Sequence, residues 1–181
     1  MGEFLGDKIE RGIEAGELDV GERSVNGKYK ADVIINTAPW TTFRSIKGID
    51  RSVSDSIKRL KYSSVVTEYY EETLNTKAQW IYCPDPDVDY HRILVRHNFC
   101  LNSKGYWTET NLTKYQESER LHFINEYAYP LNTIDKPETI YHILTEMKKN
   151  NIIGLGRWGE WMHYNSDVVV ERAIALADSI I

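Results

Sequence analysis

Cysteine is nearly absent from this sequence: 181 residues hold two, Cys83 and Cys100. Two cysteines supply neither a disulfide framework nor a metal-ligand spacing. Both stand beside apolar or aromatic residues in strand-like runs, which predicts buried thiols in a reducing, cytoplasmic setting. Long apolar runs are missing too. No stretch approaches the ~18 residues of a membrane span, and the first residues, MGEFLGDKIERGIEAGE, lack the apolar centre of a signal peptide. Met1-Gly2 suggests N-myristoylation, but Gly6 stands where that motif wants Ser or Thr. Basic charge is in deficit, with 22 Lys and Arg against 27 Asp and Glu. This argues against nucleic acid as the main partner, because phosphate binding leaves a basic footprint. His91, His122 and His142 have no metal-ligand spacing. Asp85, Asp87 and Asp89 lack the glycine and closing glutamate of an EF-hand loop and read as a solvated acidic loop. No metal site is expected, and there is no internal repeat or low-complexity tract.

What is abundant is aromatic: 12 Tyr and 5 Trp. Tyr and Trp are buried only where the O–H or N–H finds a partner, so this enrichment suits a β-rich core or a lined cleft. A short helix is expected around Gly6–Ala15, then a hairpin turn at Val25-Asn26-Gly27-Lys28. Ala31–Ala38, rich in β-branched residues and ended by Pro39, reads as a strand buried on both faces, as in a parallel sheet. Val53, Ile57 and Leu60 recur at helical spacing, with Asp50 as N-cap. From Tyr62 the period becomes two. Ser63–Leu74, Ala78–Tyr82, Arg92–Leu101, Tyr106–Thr110 and Phe123–Tyr129 read as a mainly antiparallel sheet of four or five strands, with a turn at Asn102–Gly105. In such a strand Arg96 and His97 face opposite ways. Pro137 opens a helix carrying Ile140, Ile143, Leu144 and Met147, closed by Lys148 and Lys149. Ile152–Leu155 is a short strand. Val168–Ile180 is a last helix, capped by Asn165, Ser166 or Asp167.

Residues Gly154-Leu155-Gly156-Arg157-Trp158-Gly159 match G-x-G-x-x-G between a strand and a helix, the context of the dinucleotide fingerprint. One helix follows, with no second strand to bring an acidic residue to a ribose, so the βαβ unit does not close. The glycines are therefore expected to serve a tight helix-entry loop.

The run from Gly156 to Asp167 (GRWGEWMHYNSD), entering a helix, resembles the last flavin-contacting motif of UDP-galactopyranose mutases and their relatives. Three further segments agree in order. Ala31–Trp40 (ADVIINTAPW) resembles the late strand ending in Thr-Ala-Pro. Tyr90-His91-Arg92-Ile93 is similar to the family's Tyr-Thr-Arg-Ile strand. Tyr127–Asn132 (YAYPLN) resembles its Tyr-Pro motif.

The resemblance implies an α+β fold: a mixed, mainly antiparallel substrate-binding sheet with helices, attached to C-terminal remnants of a flavin-binding α/β layer. Residues 1–40 would hold the N-terminal segment and late strand of that layer. Residues 41–150 would form the substrate-binding part, and 151–181 the final strand, Gly-Arg motif and helix. FAD is the implied cofactor, met by Gly156, Arg157, Trp158, Asn165, Ser166 and Asp167. A nucleotide-sugar substrate would meet Arg92, Tyr129 and His163; guanidinium matches phosphate bidentately. The implied reaction is flavin-dependent isomerisation of a UDP-hexose in surface-polysaccharide biosynthesis. The family's own dinucleotide fingerprint lies N-terminal to everything here. The chain is thus expected to be a partial flavoprotein unable to bind FAD alone, completed by a separate N-terminal flavin-binding chain or a homodimer. His163 and Asn165 replace the usual Tyr-x-Asp, which suits an alternative, an amine-oxidase-like FAD oxidoreductase. A further alternative is a non-catalytic remnant acting as a binding or dimerisation module.

Overall fold

The computed structural model describes residues 5–180; Met1–Phe4, which include the Met1-Gly2 pair, and Ile181 lie outside it. The chain divides into two compact units, 1–60 with 132–181 and 61–131.

The first unit begins with a single 3-10 turn at Gly6–Lys8 rather than the expected helix. Gly12 at φ +71° breaks the helical path. The following segment is instead held open by Asn26. Its carboxamide oxygen accepts the Gly16 and Glu17 N–H groups at 3.0 Å, and its amide donates to Glu14 O at 2.7 Å. Strands β1 (Glu17–Asp19), β2 (Ser24–Val25) and β3 (Tyr29–Lys30) follow, and the β2–β3 hairpin turns at Asn26 and Gly27, both at positive φ. Next come β4 (Ile34–Asn36) and β5 (Ser45–Lys47), and β5 pairs parallel with β1 to complete a four-stranded sheet. The expected long strand at Ala31–Ala38 shrinks to β4. Asn36 ends it by bonding Ala38 N and O through its own carboxamide. Nor is it buried on both faces, since Ile35 is 45% exposed. Helix α1 (Arg51–Arg59) starts after Asp50 as expected and buries Val53 and Ile57; Asp50 caps with its carbonyl, not its side chain.

The second unit is one five-stranded sheet, antiparallel throughout. Its strands are β6 (Tyr62–Tyr70), β7 (Trp80–Tyr82), β8 (Tyr90–Leu94), β9 (Tyr106–Asn111) and β10 (His122–Pro130). They lie in the order β10-β6-β9-β8-β7. Val66 and Val95 are completely buried in it. The expected strand Arg92–Leu101 stops at Leu94 and becomes a 3-10 turn at Arg96–Asn98, so strand alternation does not govern Arg96 and His97. His97 there lies 3.2 Å from Gly105 O and 3.3 Å from Leu74 O. The same departure places Cys100 outside any strand. Cys100 sits in the loop after that turn and is exposed, and Cys83, just past β7, is half-buried; neither is the buried thiol expected.

The chain then re-enters the first unit. Helix α2 (Lys136–Lys148) has Pro137 in its first turn and buries Ile140, Ile143 and Met147. It packs on α1, where Ser56 Oγ lies 3.1 Å from His142 Nδ1. Strand β11 (Ile152–Gly154) pairs parallel with β4 in a two-stranded ribbon. A single turn α3 (Gly156–Gly159) and the helix α4 (Ser166–Ile180) complete this unit. The architecture is α+β, as expected, and no described helix is long and apolar enough to cross a membrane.

Candidate functional site

In the first unit the glycine motif closes on itself. A Cβ on Gly159 would fall on the Asn36 carbonyl oxygen, and one on Gly154 would fall on the Gly159 carbonyl oxygen and 2.6 Å from Leu144 Cδ2. Gly159 O already accepts the buried Trp40 Nε1–H at 2.8 Å. These two glycines let β4, β11 and α3 approach one another closely. Gly156, buried at φ +76°, starts α3, and its N–H donates to Glu160 Oε2 at 2.9 Å.

Arg157 is half-buried, and its Nε and one terminal nitrogen donate to Tyr164 O at 3.2 and 2.8 Å, which curls the 157–164 loop back toward α3. Trp158 meets Trp161 edge to face at 5.2 Å; Trp161 is completely buried at φ +54°, a conformation a bulky residue rarely takes. Trp161 is thus a packing residue, and half-buried Trp158 can form a wall. His163, Asn165, Ser166 and Asp167 are all exposed at the entry to α4, where Asn165 O accepts Val169 N–H at 3.2 Å. Sequence reasoning missed what anchors this helix. Buried Glu160 receives Arg172 Nε at 2.9 Å and a second Arg172 nitrogen, in a two-pronged ion pair. No residue of α4 is fully buried, and this pair ties it to the turn before it. The pair spans twelve positions across a loop, so no helical period announces it.

In the second unit Arg92 and Tyr129 meet. One terminal nitrogen of Arg92 donates to Tyr129 Oη at 3.0 Å and also to Glu109 Oε2, its cross-strand partner. The guanidinium lies 4.4 Å from the Trp80 ring centre. Its Nε–H is buried with no hydrogen-bond acceptor among the described residues. A donor left unmet in a buried place costs stability. Burial works to lower the Arg92 pKa, but bonding to Glu109 and Tyr129 outweighs it and raises the value, so the cation is held firmly.

Two irregularities aim these side chains. Between Tyr90–Thr110 and Arg92–Glu109 the β8–β9 register slips by one residue, leaving His91 over. Between Asn125–Val65 and Tyr129–Ser63 the β10–β6 register slips as well. Two clefts flank the cluster. One of about 480 Å³ is lined by Tyr129, His91, Ser63, Asn111 and Lys114, with the exposed Asp85–Asp89 loop at its side. The other, about 510 Å³, is lined by Leu94, Phe99, Trp107 and Phe123, with Glu109 at its edge. Among the described residues no group of His, Cys, Asp and Glu could hold a metal ion. A cross-strand carboxylate is the ordinary partner expected of a strand arginine, and Glu109 fills that place, although its position was not named; Trp80 was not anticipated. A glutamate inside a Thr-rich strand is the one sequence signal that could have pointed to Glu109, since Glu is depleted in strands unless paired.

No family model matches this chain, and no curated protein matches it. Among solved structures, the crystal structure of reduced UDP-galactopyranose mutase is similar, with a TM-score of 0.72 at 19% identity. The match covers 88% of this chain and 44% of the mutase chain, so this sequence spans less than half of that protein's length. What the comparison establishes is a shared fold: this chain folds as a portion of a UDP-galactopyranose mutase chain does.

Proposed function

We propose that this chain is part of a flavin-dependent enzyme acting on a nucleotide sugar, an isomerase of the mutase type serving surface-polysaccharide synthesis in the cytoplasm. One observation carries the reading. Arg92 and Tyr129, 37 positions apart, meet beside a cleft with a buried Arg92 N–H still to be satisfied. Guanidinium and phenol together suit a diphosphate: the fixed cation neutralises charge while the hydroxyl fixes its orientation.

FAD fits the first unit at one end only. The exposed start of α4 at Asn165–Asp167 offers helix N–H groups and positive partial charge to a flavin's pyrimidine edge, and Trp158 offers a wall. Gly154 and Gly159 of the G-x-G-x-x-G match are taken up by backbone packing, so the ADP end would take another polypeptide segment. Bound flavin would supply nucleophilic chemistry at the sugar's anomeric carbon. This chain's residues hold and orient the substrate: Arg92 and Tyr129 the diphosphate, with Glu109 and Trp80 fixing the guanidinium between them. A segment completing the layer would cover Val170 and Ile174, each 58% exposed on α4, and Ile35 on β4.

A second reading has its own observation. The cleft that Phe99, Trp107 and Phe123 line together with Glu109 would suit an organic amine, as an amine oxidase requires, against the repulsion of Arg96, which lines it too. Calorimetric titration separates the two. UDP should bind, and Arg92→Ala should weaken it at least tenfold, as loss of a charge-assisted hydrogen bond of about 1.5–3 kcal/mol predicts. Equal UDP affinity in both proteins, with benzylamine binding instead, would establish the second reading.

A further inference from the structure

The sequence assigns His91 no role, and the resembled Tyr-Thr-Arg-Ile strand has threonine at its place. The fold supplies one. In a regular strand neighbouring side chains leave on opposite faces, so His91 would turn away from Arg92. The register slip makes His91 the extra residue of a bulge, and bulges re-aim side chains. His91 Nε2 consequently stands 3.7 Å from Glu109 Oε2, the oxygen that also receives Arg92. It lines the same 480 Å³ cleft as Tyr129, the phenol that Arg92 reaches. Imidazole and phenol thus line one cleft, and the guanidinium behind them is bonded to that phenol and shares the Glu109 carboxylate with the imidazole.

The charged and titratable groups around the imidazole come from five elements. Glu109 lies on β9, Arg92 on its own strand and Tyr129 on β10. Asp85, Asp89 and Cys83 belong to the loop before β8, and exposed Lys114 to the loop after β9. Burial lowers the His91 pKa below its ordinary 6.5; Glu109 opposes that shift and Arg92 adds to it. Without ligand, then, the imidazole is neutral near pH 7. A phosphate seated on Arg92 and Tyr129 adds negative charge beside it and favours the protonated ring. Binding then takes up a proton and tightens as pH falls.

We infer that His91 is a second anion-recognising residue of this site, which as imidazolium donates to the phosphate held by Arg92 and Tyr129. The inference rests on the diphosphate reading above. It makes affinity for phosphate compounds depend on pH in a way that threonine at this place would not. The test is calorimetric titration of UDP and of inorganic pyrophosphate into the full chain from pH 8 to pH 5.5. Wild type, His91→Gln, His91→Thr and Arg92→Ala are compared, and the His91 ring proton shifts are followed by NMR. The His91 variants report the ligand's own titration, so the difference from wild type isolates the imidazole. A ligand-induced rise of one unit in the His91 pKa corresponds to a gain in affinity toward low pH that approaches about tenfold. Wild type should show that extra gain, both His91 variants should lack it, and the ring should titrate at higher pH with UDP bound. If Arg92→Ala weakens binding while the His91 variants keep the wild-type pH profile, His91 has no part and the inference fails alone. If neither Arg92→Ala nor the His91 variants alter binding, the diphosphate reading fails with it.

Discussion

Replacing Gly159 by alanine asks whether the glycines of the G-x-G-x-x-G match serve a ligand or the fold. An alanine Cβ at 159 would fall on the Asn36 carbonyl oxygen, 3.1 Å from the Gly154 carbonyl carbon and 3.2 Å from that of Asn36. All three neighbours are backbone, so no side-chain rotation relieves the clash. Overpacking that neighbours can absorb costs about 1–3 kcal/mol. Here relief requires β4 or the α3 turn to move. That weakens the Leu155 N–H to Asn36 O bond at 2.9 Å and the Trp40 bond to Gly159 O at 2.8 Å. Each such bond is worth about 1 kcal/mol net, which brings the expected cost to about 3–5 kcal/mol. A typical domain has about 5–15 kcal/mol in total. Gly156→Ala differs. Its φ of +76° is strained for alanine, but the nearest atom to the new Cβ is Val169 Cγ1 at 3.4 Å, an ordinary contact. The left-handed conformation alone should cost about 1–2 kcal/mol. Urea unfolding without ligand, followed through the NMR indole signals of Trp40 and Trp161, reads out the first unit. The expected order of stability is wild type, Gly156→Ala, Gly159→Ala. A Gly159→Ala protein within about 0.5 kcal/mol of wild type would refute the packing argument, since surface-like tolerance is what a glycine kept only for a ligand would show.

Two further expectations concern charged anchors. Glu160→Gln removes the carboxylate that holds Gly156 N–H and Arg172, so amide exchange in α4 should accelerate well before exchange in α2; unchanged α4 protection would show that the pair holds nothing. On the sheet, Glu68 is buried. Desolvation acts to raise its pKa, but bonds from Ser118 and Tyr70 and the charges of Arg120 and His122 outweigh it and lower the value below its ordinary 4.5. A depressed carboxylate stabilises the fold above its unfolded value, so the sheet should lose stability as pH falls through 4.5 and below. Tyr70 is pushed up to about 12, first by burial and then by Glu68, so its share is complete below pH 10 and lost as pH rises toward 12. Glu68→Gln should flatten the acid limb of a stability-against-pH curve, and an acid limb equal to wild type would place the titrating group elsewhere.

Local pattern alone determines much of this protein. The period-two runs from Tyr62 to Tyr129 form one antiparallel sheet, because alternation is written into each strand by its own pleat. Pro137, the Ile140–Met147 spacing and the Asn165–Asp167 cap likewise mark two helices, because caps and helical faces depend on neighbours within a turn or two. Arg92 and Tyr129 stand out only through the resemblance of the motifs around them, and the fold brings the two together. What tertiary structure alone decides is who stands beside them. Asn26 reaches back to hold the 14–17 backbone open where a helix was expected, through contacts that no short window contains. Glu160 finds Arg172 only because the 157–164 loop folds on itself. His91 joins Arg92 at Glu109 because one residue of strand register slips. That slip is a property of two strands together, and a period-two pattern in one strand predicts the opposite face for His91. Periodicity encodes which way a side chain leaves its own backbone, while register and loop closure, set by pairing across the fold, decide what it meets.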